Sequence, residues 1–106
     1  MYQEGTKALF PLGRIVATQD VLNILETTKE SLTDFLVRHQ SGQWGQVDQK
    51  EREVNDWAAD KSMPVVSVYR LKSGSSICII TEGDRRTTRV QTIFEWLAPA
   101  YTYCES

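Results

Sequence analysis

Apolar positions recur at helical spacing in the first half of this chain and at strand spacing in the second, and the change of period predicts the order of the elements. In TQDVLNILETT, Val21, Leu22, Ile24, Leu25 and Thr28 share one helical face. Thr18 stands where an N-cap hydroxyl belongs, and Asp20 lies in the first turn near the positive end of the helix dipole. The pattern predicts a first helix over about 19–27. A second opens at Ser31, whose side chain can cap the amide of Asp34 in the manner of a capping box, and continues through Leu32, Phe35 and Leu36 at i, i+3 and i+4. His39 extends that stripe at i+7, and Gly42 supplies the left-handed residue on which helices end, so this helix stops near Gln40. Asp48 and Glu51 repeat the D-x-x-E capping signature and predict a third helix reaching about Asp60, with only Val54, Trp57 and Ala58 as its apolar face. So thin a stripe predicts a surface helix held mainly by Trp57.

Beyond Met63-Pro64 the period changes to two. VVSVYRL, Val65 to Leu71, and SICIIT, Ser76 to Thr81, flank the turn Lys72 to Ser75 and predict a hairpin. After Glu82-Gly83-Asp84 comes TTRVQTIF, where Thr88, Val90, Thr92 and Phe94 alternate onto one face and predict a strand from Thr87 to Phe94. Arg14-Ile15-Val16-Ala17 reads as a short early strand that could extend this sheet. The expected fold class is α+β, with three N-terminal helices packed on a small antiparallel β-meander of three to four strands. A length of 106 residues leaves room for one core, so residues 1–106 form a single domain, with loose termini expected over 1–8 and 97–106. The tail LAPAYTYCES is unusually aromatic for a terminus and could fold back on the sheet or dock a partner.

Composition narrows the class without naming a reaction. With 41% hydrophobic and 25% charged residues the chain matches folded globular proteins rather than disordered ones. A net charge of −2 removes the electrostatic argument for counterion-driven nucleic-acid binding. No basic region followed by an apolar run opens the chain and no apolar stretch is long enough to span a bilayer, so the expectation is a cytoplasmic protein without membrane contact. The two cysteines, Cys78 in an apolar strand and Cys104 in the tail, have no histidine nearby and read as free thiols in a reducing compartment. No glycine-rich phosphate loop, metal-spaced Cys/His set or nucleophile elbow occurs, so neither a metal nor a nucleotide cofactor is expected.

Four ordered segments, PLGRIVAT (Pro11 to Thr18), RHQSGQWG (Arg38 to Gly45), YRLKSG (Tyr69 to Gly74) and ITEGDRRTT (Ile80 to Thr88), resemble a family of short uncharacterised proteins encoded on plasmids, phages and integrative elements. The likeness spans about residues 10–90. It departs at Gln43, where an acidic residue is expected before Trp44, at Cys78, where an aromatic is expected, and over the last dozen residues. It implies a mobile-genetic-element setting and carries no established activity.

Two chemical readings compete for the singled-out residues. His39 as general base, with Arg70 or Arg38 holding a phosphate and Thr88 nearby, would resemble in outline the small ribonuclease folds of bacterial toxins. The simpler reading places Arg38 and His39 in the last turn of the second helix, where positive charge suits the dipole, with Trp44 folding back over the helix end. Arg85, Arg86 and Arg89 around the GDRRTTR turn could grip phosphates bidentately, yet Glu82 and Asp84 lie beside them and cancel much of the field. Trp57 is a candidate interface anchor. These residues support a non-enzymatic protein-binding module, contacting a protein partner through Arg38, His39, Trp44, Trp57 and the three arginines and modulating host defence. A histidine-dependent ribonuclease-like or nucleic-acid-binding protein is the alternative, and a homo-oligomeric accessory protein is a third class.

Overall fold

In a computed structural model of the protein, residues 8–97 are described, and they form one α+β unit. The elements run β1 (Arg14–Ala17), α1 (Gln19–Thr28), α2 (Leu32–Gln40), α3 (Gln49–Ala58), β2 (Val65–Arg70), β3 (Ser76–Thr81), β4 (Thr87–Thr92) and α4 (Ile93–Leu97). The expectations for the two termini and the aromatic tail fall outside the described residues, apart from Ala8 and Leu97, the last residue of α4.

The helices begin where side chains satisfy their first amides. Thr18 accepts from the Val21 amide at 3.3 Å, and Asp48 and Glu51 form a complete reciprocal capping box at the start of α3. Ser31 precedes α2 as expected, but its side chain makes no cap hydrogen bond. Gly42 follows α2 with φ +88, consistent with its role as a helix stop. α3 corrects its own expectation. Asn55 and Ala58 are its buried residues, whereas Trp57 is 53% exposed and lies outside the packing that holds the helix.

The sheet runs β1-β4-β3-β2, and its hairpins β2-β3 and β3-β4 are antiparallel as the meander predicted. The early strand does join, but parallel to β4, with Ala17 opposite Val90, so the sheet is mixed rather than antiparallel. This pairing joins residues more than seventy positions apart, and no local turn chemistry specifies its direction. The last strand also ends sooner than its alternation suggests. Thr92 and Glu95 form a second reciprocal cap, the Glu95 amide donating to the Thr92 hydroxyl at 3.0 Å and the Thr92 amide to the Glu95 carboxylate at 2.9 Å. That cap turns Ile93 and Phe94 into α4. Thr18 Oγ1 donates to the same carboxylate, tying the start of α1 to that of α4.

One sheet face, carrying Tyr69, Ile77, Ile79 and Val90, packs on Val21 and Leu25 of α1 and Phe35 and Leu36 of α2. Burying each of these large side chains contributes about 1.5–3 kcal/mol before conformational entropy is charged. A second cluster, Phe10, Trp44, Val47, Ala58, Ala59 and Val65, lies beneath α3. Among the described residues no helix is long and apolar enough to cross a membrane.

Candidate functional site

His39 stands where the two core clusters meet, and it is fully buried. The α2 stripe directs it onto the sheet, where strand alternation has placed polar residues at three apolar positions. Ser67 lies between Val65 and Tyr69, Thr81 pairs with Val65, and Thr88 pairs with Thr81. His39 Nδ1 is 2.6 Å from Ser67 Oγ and Nε2 is 2.8 Å from Thr81 Oγ1. Thr81 Oγ1 is 2.8 Å from Thr88 Oγ1, which donates to the Leu12 carbonyl at 2.7 Å.

That last bond sets the direction of every other one. A hydroxyl carries one hydrogen, so Thr88, having given its own to Leu12, must accept from Thr81. Thr81 has then spent its hydrogen and must accept from Nε2–H of His39. Nε2 therefore carries a hydrogen, and because burial keeps the imidazole neutral, its bare Nδ1 accepts from the Ser67 hydroxyl. Burial, reinforced by the positive charge of Arg85, pulls His39 down from 6.5 to about 3. Phe10 and Trp44 meet its ring edge-on at centroid distances of 5.3 and 5.8 Å and close it off. No face of this imidazole is open to a substrate.

The proposed acid–base set is not assembled. Thr88 joins His39 through Thr81, but Arg70 alternates onto the sheet face opposite Ser67 and Tyr69 and is exposed. Arg38 stays outside the network and lies over the rings of Phe35 and Tyr69 at 4.8 and 5.5 Å. Trp44, read from sequence both as a lid and as an exposed contact, is 1% exposed, and its indole N–H donates to Asp56 at 2.9 Å. Neither His39 nor Trp44 offers a surface to a partner. Gly45 follows with φ +79 in close approach to the Val68 carbonyl, where any side chain would collide.

The three arginines of the GDRRTTR turn have separate fates. Arg85, in the left-handed region at φ 60, turns inward over Phe10 and donates to the carbonyls of Ala58, Lys61 and Met63 at 2.8 Å and, at longer range, to those of Ala59 and Glu82. α3 has no basic residue in its last turn, and Arg85 supplies that positive charge from across the fold. Arg89 donates to Glu82 at 2.9 Å and to Gln91. Only the Arg86 side chain, exposed on the turn, remains free of such ties among the described residues. The turn is no bidentate phosphate grip.

The exposed apolar surface lies elsewhere. On the sheet face away from His39, Val66 and Val68 form the floor of a groove of about 440 Å³ walled by Val47, Val54 and Pro64 and by Trp96 of α4. Lys50, Glu51 and Asn55 complete its rim. Val54 is 54% exposed, and Trp57, one turn further along α3, extends the apolar strip with Lys61 over its ring. Among the described residues no group of three or more His, Cys, Asp or Glu side chains converges as a metal site would require. Ser67, Thr81, Asn55 and Trp96 were not singled out by sequence reasoning. Ser67 carried a usable signal, since a serine in phase with Val65 and Tyr69 is a polar group at a core position and demands a partner. Comparison of the chain with protein families, with curated proteins and with solved structures gives no match.

Proposed function

We propose that this chain is a non-enzymatic protein-binding module whose contact surface is the groove between α3 and the outer face of β2, with Val54, Trp57 and Trp96 as its apolar anchors. The observation that carries the reading is that groove, bordered by large exposed apolar side chains, while the histidine that chemistry would need is neutral and sealed. Exposed tryptophan and aliphatic side chains beside a concave apolar floor are what a partner's apolar segment requires. The resemblance of Pro11 to Thr18, Arg38 to Gly45, Tyr69 to Gly74 and Ile80 to Thr88 to mobile-element proteins supports a setting in which the partner is a host protein. Modulation of host defence is the role that setting suggests.

A photoreactive residue at position 57 tests the reading, with one at Leu22, exposed on α1, as the control. The expected result is a protein crosslinked from position 57 and not from 22, whose capture Val54→Asp abolishes while Arg86→Ala does not. Equal capture from both positions, or capture indifferent to Val54→Asp, overturns it.

A further inference from the structure

The two edges of the sheet are finished in opposite ways. At β2 the outward backbone groups of Val66 and Val68 are occupied. Asn55 acts as a short surrogate strand, its Nδ2 donating to the Val66 carbonyl at 2.8 Å and its Oδ1 accepting from the Val66 amide at 3.1 Å. The loop at Trp44 to Gln46 does the same for Val68, whose amide donates to the Trp44 carbonyl and whose carbonyl accepts from the Gln46 amide. A further strand cannot pair across Val66 and Val68.

Among the described residues β1 has no such cover. The Arg14 amide donates to Arg86 and the Thr18 amide to Val90, both on the β4 side. Alternation along the strand therefore turns the N–H and C=O groups of Ile15 and Ala17 outward, and no described residue pairs with them. The two central side chains, Ile15 and Val16, are each 44% exposed. Single-chain proteins guard such edges with lysine, proline, a bulge or very short strands; β1 is only four residues long and begins at Arg14, but its remaining Ile15-Val16-Ala17 carries no charge or proline.

We infer that β1 pairs antiparallel with β1 of a second copy about a two-fold axis, joining two four-stranded sheets into one of eight strands. The outward-facing parity limits the register to those in which Ile15 or Ala17 exchanges hydrogen bonds with Ile15 or Ala17 of the second copy. With the axis at Ile15, Arg14 falls opposite Val16 of the second copy, and with the axis at Val16 it falls opposite Thr18. The arginines do not meet, and the centre of the pair is aliphatic on both sides, which is the self-complementarity a two-fold contact requires. The operator also closes: each copy uses the open edge at β1, while Val66 and Val68 at the other edge are occupied, so pairing stops at two. This contact is independent of the groove by α3, which lies over β2 at the opposite edge of the sheet, and the two fail separately under Val54→Asp and Ile15→Lys.

Sedimentation of the full chain from about 10 μM to about 1 mM tests the inference, since a contact this short places the dissociation constant within that range. The expected result is a mass rising from 12.1 kDa towards twice that value. Ile15→Lys, at an exposed position, weakens the association about tenfold or more without lowering the melting temperature. In the unaltered chain, amide exchange at Ile15 and Ala17 slows with concentration while that at Val66 and Val68 does not, a readout that stands if the variant fails to fold. A chain that stays monomeric throughout, or a dimer in which exchange at Ile15 and Ala17 is unchanged, overturns the inference.

Discussion

Acid is expected to unfold this protein through its one histidine. Protonating His39 within the fold places a second hydrogen on Nδ1, where the Ser67 hydroxyl already donates at 2.6 Å, and puts a positive charge in a fully buried site that also feels Arg85. The folded-state value, about 3, lies below the ordinary 6.5, so between these limits the unfolded chain binds the extra proton. The stabilisation is therefore complete above about pH 6.5 and is lost as pH falls towards about 3. The gap corresponds to about 5 kcal/mol over the whole window, with about 2 lost by pH 5 and about 3 by pH 4. A domain of this size is commonly stable by only about 5–15 kcal/mol, so the loss is decisive. Denaturant unfolding followed by tryptophan fluorescence at several pH values, on the protein and on His39→Gln, isolates it. Glutamine can accept from Ser67 and donate to Thr81 but does not titrate, and the carboxylates contribute alike to both proteins. The difference in stability should shrink as pH falls by the amounts above, and the imidazole resonances should not move between pH 7 and 5. A histidine that titrates near 6.5 in the folded protein, or two proteins that lose stability in parallel, would refute the reasoning.

Substitutions at two further positions test the supports of α3. Arg85→Ala strips the carbonyls at the end of that helix of their charged donor and should cost about 2–4 kcal/mol in denaturant unfolding. Arg85→Lys should recover less than half of this, because one ammonium cannot reach carbonyls spread from Ala58 to Met63; full recovery would make the charge alone responsible. Asn55→Leu leaves the amide and carbonyl of Val66 without their partner and should cost about 2–3 kcal/mol, with faster amide exchange at Val66 but not at Ile79; an unchanged exchange rate would mean that water replaces the clamp.

What could be read locally was read from capping and period. Thr18, the Asp48–Glu51 box and Gly42 mark helix boundaries because their partners lie within a few residues, and the two hairpins follow from alternation broken by short turns. Thr92-Ile-Phe-Glu95 is a further local signal, a capping box hidden inside an alternating strand pattern. The candidate site was legible only in part. The stripe through Leu32, Phe35 and Leu36 pointed His39 inward, but Ser67, Thr81 and Thr88 come from three strands, and nothing in the spacing of those residues announces that their hydroxyls share one proton chain.

The sequence by itself therefore determined α1 to α3, the meander and the inward aim of His39, each a matter of side chains a few positions apart. Tertiary structure decided the rest: β1 runs parallel to β4, Arg85 serves the end of a helix from another element, Trp44 is buried and Trp57 is not, and the imidazole is neutral. Each of these depends on which groups meet after the chain has closed over more than twenty positions, where the gain comes from desolvation and mutual hydrogen bonding and leaves no periodic trace along the chain.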